Sequence, residues 1–313
     1  MTAPNESERP RGGISERVAN VALRLYPLAH QRRYGEEMRS LLKDRPPRAG
    51  AVLNLLGNAF LAHLRPADAP AGVVDDADRV RASTSGVLLC WVFFAAVGFG
   101  FYKTTEDQPF SAAGHSHPLL RDAHLAVQGL AVIASITVVL GALPLILTAV
   151  ARARNDASMR RTVLRPFLPL IWFAGVTAAA VGVAHAVGPN HHSNVGYGLA
   201  VLWGIAGLAC GTTCVLACRR ALFVTPAAAV QLRAALVGAT VVTATMLAIA
   251  IATAVYAIAL AADAAALAVQ SNGPFQVLSV TVSLIVLLVV MVGSSALAAI
   301  ATVRAWRVES QLA

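Results

Sequence analysis

Six apolar runs, each long enough to cross a lipid bilayer, leave this chain few folds to choose from. A spanning helix needs about 20 mostly apolar residues, because the hydrocarbon core is ~30 Å thick and an α-helix rises ~1.5 Å per residue. The runs cover residues 86–102, 124–150, 163–187, 195–217, 234–262 and 277–303. The first is short, and the fifth is long enough to tilt or to project beyond the bilayer. Barrel strands alternate polar and apolar residues, and none of these runs does. The predicted fold class is all-α, a polytopic membrane protein with six transmembrane helices over 86–303.

Arginine sets the expected direction of these spans. Lys and Arg gather on the cytoplasmic side of membrane helices. Arg152, Arg154, Arg160, Arg161 and Arg165 lie between spans two and three, and Arg219, Arg220 and Arg233 between four and five. Arg304 and Arg307 follow the last span, and Arg79 and Arg81 precede the first. The alternate loops hold only Lys103 and Arg121, beside Glu106, Asp107, Asp122 and Asp263. Both ends of the chain, including a tail over 304–313, are therefore predicted to be cytoplasmic, with the protein in the cell membrane. The net charge of +9 serves as this topology signal and implies no nucleic-acid partner. Charged residues make up only 13% of the chain, against about a quarter in soluble domains. The lipid bilayer is thus the first partner. Trp91 and Trp306 are expected near inner ends, and Tyr102 and Tyr197 near outer ends, as interface anchors. The first apolar run begins near Gly86, so no cleaved secretory leader is expected.

Residues 1–14 read as disordered and 66–85 as a linker rich in Pro, Ala and Asp. Between them, three amphipathic helices are predicted over 15–65. Ile14, Val18, Val21 and Leu25 recur at helical spacing until Pro27. Tyr34, Met38, Leu41 and Leu42 share a face over 30–43, and Val52, Leu55, Leu56, Ala59 and Phe60 share one over 48–65. About 50 residues make a marginal core alone, so this unit is expected to dock on the membrane surface, the basic loops or a partner.

Certain strings in this segment carry a resemblance: Leu23, Arg24, Leu25, Tyr26 and Pro27, then Arg32 through Met38 with Tyr34, Gly35, Glu36 and Glu37, then Leu41, Leu42, Lys43 and Asp44. Together they resemble the small helical prefix domain of some bacterial ABC-type permeases. The same prefix fronts uncharacterised actinobacterial membrane proteins encoded beside PadR-like regulators. The resemblance implies a cytoplasmic prefix domain, a permease-like membrane part and a separate ATPase subunit as partner. It supplies no catalytic residues. The Ala- and Arg-rich, Lys-poor composition suits a high-GC actinobacterium.

The rest of the chain lacks the usual marks of catalysis. Gly98 to Thr104 lacks the Gly before Lys of a phosphate-binding loop and follows no strand. Neither HExxH nor GxSxG occurs. No Asp, Glu, Lys or Arg stands in the middle of a span, which argues against a buried proton relay or a voltage sensor. Thr, Ser and Gly inside the spans, including Gly204, Gly207 and Gly211, suit close helix packing. Cys210, Cys214 and Cys218 form an i, i+4, i+8 stripe that packs as small hydrophobes or offers soft ligands to a metal. No disulfide is expected.

Histidine is the sharpest local signal. His115, His117, His124, His185, His191 and His192 all fall on the predicted outer side, with Glu106, Asp107, Asp122 and Asp263. These residues are polar loop fillers, ligands for zinc or copper, or groups that titrate between pH 5 and 8. The expected function is non-catalytic: a transporter (permease-like) component or its regulatory membrane partner. The alternative is a membrane sensor or metal-binding protein that uses the extracytoplasmic histidine face. An enzyme built on Asp122 and Asp263 as acid and base has no recognised motif spacing behind it.

Overall fold

In a computed structural model of the full chain, residues 19, 20, 22, 23, 26, 28–44, 49–64, 76–187, 194–224, 228–271 and 279–310 are described. Among them every regular element is a helix. The chain divides into two units, Met1–Asp75 and Asp76–Ala313.

In the first unit, α1 runs over Leu28–Asp44 and α2 over Ala49–Leu64. The predicted first helix falls mostly outside the described residues. Its described part contributes Leu23 and Tyr26 to a small core with Ala59, against which Met38, Leu42, Leu55 and Ala62 pack. The Tyr26 carbonyl accepts a 2.6 Å bond from Gln31 Nε2, which ties the turn to α1. Burial pushes the Tyr26 phenol above its usual pKa. Leu41, expected on the buried face, is 67% exposed. Adjacent positions on a helix point about 100° apart, and Leu42 takes the inward place.

The second unit holds six helices that are long and apolar enough to cross a membrane. The protein is therefore a multi-pass integral membrane protein. Its elements are α3 (Asp76–Thr105), α4 (Gln108–Ser116), α5 (Pro118–Ala153), α6 (Ala157–Leu164), α7 (Phe167–Val187), α8 (Asn194–Val224), α9 (Ala229–Asp263), α10 (Ala265–Ala268) and α11 (Val280–Glu309). The spans are α3, α5, α7, α8, α9 and α11.

The first span begins at Asp76, ten residues before Gly86, so residues 76–85 are helix rather than linker. The reason lies in the local chemistry. Asp76 and Asp78 complement the positive helix N-terminus. Arg81 Nη1 donates 2.6 Å to Asp78 Oδ1. Thr84 and Ser85 return their hydroxyls to carbonyls one turn back. Trp91 consequently stands mid-helix, stacked on Phe94 with centroids 5.9 Å apart. The remainder of the predicted linker, 66–75, lies outside the described residues.

Span α9 is the axis of the bundle, touching α5, α11 and α3. Half of its most apolar stretch is buried, against none for α7. The α5–α9 crossing is built on two glycines. A Cβ on Gly238 would stand 3.1 Å from the Gly141 Cα, and one on Gly141 would stand 3.3 Å from the Gly238 Cα. Such close backbone approach is what small residues supply between membrane helices. Pro144, one turn along α5, removes a helix N–H. Thr148 donates back to the Pro144 carbonyl at 2.8 Å and accepts 2.8 Å from Gln231 Nε2 on α9.

Hydroxyls join α9 to α11. Thr243 and Thr302 stand 3.0 Å apart, and Trp306 Nε1 donates 2.9 Å to Thr240. Arg233 Nε donates to Glu309 at the same end.

Span α8 connects α3 to the peripheral α7. Trp203 lies between Phe99 and Phe173, with centroids 5.0 and 5.4 Å away, and its indole donates 2.9 Å to Thr177. Gly211 sits so close to α3 that a Cβ would be 2.6 Å from Val92 Cγ1.

These contacts define two ends. Arg152, Arg154, Arg233 and Arg304 stand at one, and Lys103, His117, His124 and Asp263 at the other. They are called the arginine end and the histidine end below.

Candidate functional site

The prolines at 109 and 118 start the two helices that shape the histidine end. Pro is pre-set for the first helical positions, where its missing N–H costs nothing. Helix α4 therefore begins after Asp107, and α5 after His117. His117 is the extended joint between them, at φ −124° and ψ 101°. The sequence reading expected a plain loop here. The short helix α4 packs on α5 instead, and Phe110 is its buried anchor.

A cavity of about 350 Å³ opens under this joint. Tyr102, Thr105 and Glu106 line it from the end of α3, and His115 from α4. Arg121, His124 and Gln128 line it from α5, and Tyr256 from α9. Its floor is aromatic. Phe101 meets Tyr256 edge-on at 5.3 Å between centroids, and His124 lies 5.8 Å from Phe101 and 6.0 Å from Tyr256. Three spans thus contribute one ring each, which fixes their relative depth at this end.

The polar groups fall into two classes. The first is already paired. Lys103 Nζ donates 2.6 Å to Glu106, and Arg121 Nε donates 3.1 Å to Asp122. Both pairs are solvent-exposed, so each contributes ~0–1 kcal/mol and leaves the rim close to neutral. Gln128 Nε2 lies 3.0 Å from His124 Nε2.

The second class is open to the cavity, and its member is Tyr256. The residue is only 3% exposed and lines the cavity, and its hydroxyl is not among the buried polar atoms left without a partner. A tyrosine in such a place offers an apolar ring and a polar hydroxyl together. The arrangement can seat a small polar molecule, with an aromatic floor for its flat or apolar face and a phenol to donate to it.

Of the six predicted site histidines, His115 and His124 line the cavity. His117 stands beside it, with Nδ1 3.9 Å from Asp263 Oδ2. His185 is exposed at the end of α7 and does not join them. His191 and His192 lie outside the described residues. Among the described residues, no group of three or more His, Cys, Asp or Glu side chains could share a metal ion.

The cysteine stripe has a local use. Cys210 Sγ donates to the Pro169 carbonyl at 3.2 Å, and Cys214 Sγ to that of Pro166 at 3.3 Å, which joins α8 to the start of α7. All four thiols are free.

Tyr256, Gln128 and Thr105 were missed by sequence reasoning. A tyrosine two turns inside the end of an apolar span is a detectable signal, because its hydroxyl needs a partner that the surrounding run does not offer. Comparison with protein-family models, curated proteins and solved structures found no match.

Proposed function

We propose that this chain is a non-catalytic protein of the bacterial cell membrane that recognises a small polar ligand at its histidine end. In this reading it is a permease-like transporter component or the regulatory membrane partner of one. The arginine end is taken as cytoplasmic on the positive-inside rule. The single observation that carries the reading is the cavity itself, where Tyr256 forms an aromatic floor with His124 and Phe101 beside polar side chains of α3, α4 and α5. Two further features support a site at one face rather than a path through the middle. The spans hold no Asp, Glu, Lys or Arg at mid-depth, and the α5–α9 crossing is closed backbone to backbone. The prefix segment and any separate ATPase subunit belong to the same proposal.

A second reading, a membrane sensor using the histidines, has its own support. His115 and His124 line one cavity, and His117 faces Asp263 at its edge. Zinc, copper or protons are its inputs.

The test is thermal unfolding of the purified full chain with amino acids, sugars, nucleosides, zinc or copper, and across pH 5.5–7.5. A solute that stabilises the wild type but not Tyr256→Phe supports the first reading. A metal or pH effect lost in His115→Ala and His124→Gln, but kept in Tyr256→Phe, supports the second. No differential effect in any variant removes both.

A further inference from the structure

A second cavity, of about 450 Å³, lies at the opposite end of the bundle. It forms where α5 stops at Ala153, α6 runs back over Ala157–Leu164 and α7 starts at Phe167. Ala153, Val163, Leu164 and Phe167 make its walls apolar, and Arg154 and Arg160 are its polar side chains. Leu164 and Phe167 are both more than half exposed, so the cavity has apolar edges on the outside of the bundle. Neither guanidinium is ion-paired among the described residues. The one carboxylate in the 151–166 stretch, Asp156, accepts from the Met159 N–H at 3.4 Å and so caps the backbone of α6.

An apolar recess with two cations at its mouth, at the end of a spanning helix, is complementary to one kind of molecule. Its occupant carries a hydrocarbon chain and a phosphate. A guanidinium matches phosphate oxygens in a bidentate fork, and basic pockets between spans on the arginine-rich side hold anionic headgroups. We infer that Arg154 and Arg160 bind the phosphate of an anionic phospholipid whose acyl chain fills the cavity along Ala153, Leu164 and Phe167.

The experiment is native mass spectrometry of the full chain in neutral detergent, with phosphatidylglycerol, phosphatidylcholine or inorganic phosphate added. The wild type should retain phosphatidylglycerol and neither of the other two. Arg154→Gln with Arg160→Gln should lower that retention about tenfold. Arg161→Gln with Arg165→Gln removes the same charge from residues that do not line the cavity, and should change it less than about twofold. Ala153→Leu keeps both arginines, fills the recess and should also lower retention. Equal loss in the two double variants reduces the effect to surface charge and overturns the site. Retention of phosphatidylcholine or inorganic phosphate at the same level, or an Ala153→Leu protein that binds like the wild type, also overturns it. The last two readouts stand even if the Arg154/Arg160 variant fails to fold.

Discussion

Gly238→Ala should weaken this protein although alanine is the better helix former. The added Cβ would sit 3.1 Å from the Gly141 Cα, with the Thr137 carbonyl oxygen 3.8 Å away. Ordinary carbon–carbon contact is about 3.5–4.0 Å, so the helices must part by ~0.4–0.9 Å. The obstacle is backbone, and no rotamer change can relieve it. A gap of that size forfeits roughly a quarter to a half of each affected dispersion contact. The α5–α9 pair is the most extensive helix interface in the second unit, so the loss is multiplied along it. Overpacking of this kind costs about 1–3 kcal/mol, against a gain of about 0.5–1 kcal/mol from removing a helical glycine. Net destabilisation of about 0–2.5 kcal/mol follows, and always a lower stability than that of an uncrowded Gly→Ala change. Gly182→Ala is the control, because nothing lies within 4 Å of its added Cβ; it should be neutral or stabilising. The assay is reversible unfolding of the full chain in mixed micelles with increasing dodecyl sulfate. If Gly238→Ala proves as stable as Gly182→Ala, the close crossing is not a feature of the folded protein.

Three other perturbations test separate parts of the fold. Gly211→Ala places a Cβ 2.6 Å from Val92 Cγ1 and should cost about 1–3 kcal/mol. Val92→Ala in the same chain should restore most of that, and additive losses in a double-mutant cycle would contradict the contact. Thr243→Val removes the 3.0 Å contact with Thr302. Thr302 still donates to the Ala298 carbonyl, so unfolding should show a loss of only about 0.5–1.5 kcal/mol, with Thr243→Val/Thr302→Val close to the single variant. Cys90 and Cys210 are almost wholly buried, so a maleimide should modify them only after denaturation; rapid modification of the folded protein would show that the α3 and α8 packing is wrong.

Much of the membrane unit could be read from the sequence because its cause is local. A bilayer demands that each span satisfy its own backbone hydrogen bonds and present an apolar surface, and both demands are met within one stretch of residues. Helix ends were less legible. Asp76, Asp78 and Arg81 look like linker by composition, yet they begin α3 because charge pairing and the helix dipole act across one turn. The site was half legible. His115 and His124 could be singled out by type, but their convergence depends on α4, whose existence follows from prolines at both of its boundaries. Tyr256 could be noticed by its position in an apolar span, but its convergence with His124 could not be read from the sequence. It lies more than 130 residues from His124 in the chain, and only the packing of α9 against α3 and α5 brings the two rings within 6.0 Å. Likewise the cysteine stripe offered metal ligands on paper, whereas Cys210 and Cys214 point at carbonyls of Pro169 and Pro166 at the start of α7 and just before it.

The proposal most in need of a test is that the protein works at its histidine end, with that end facing out of the cell, and not through the middle of its bundle. Cysteine accessibility in whole cells tests this directly, in a chain whose four native cysteines are replaced. Ser111→Cys and Gln128→Cys, at the cavity, should react with a membrane-impermeant thiol reagent added outside. Ala239→Cys and Thr243→Cys, buried against the neighbours of α9, should not react from either side. Labelling of the α9 positions, or of the cavity positions only after the cells are opened, would contradict the account.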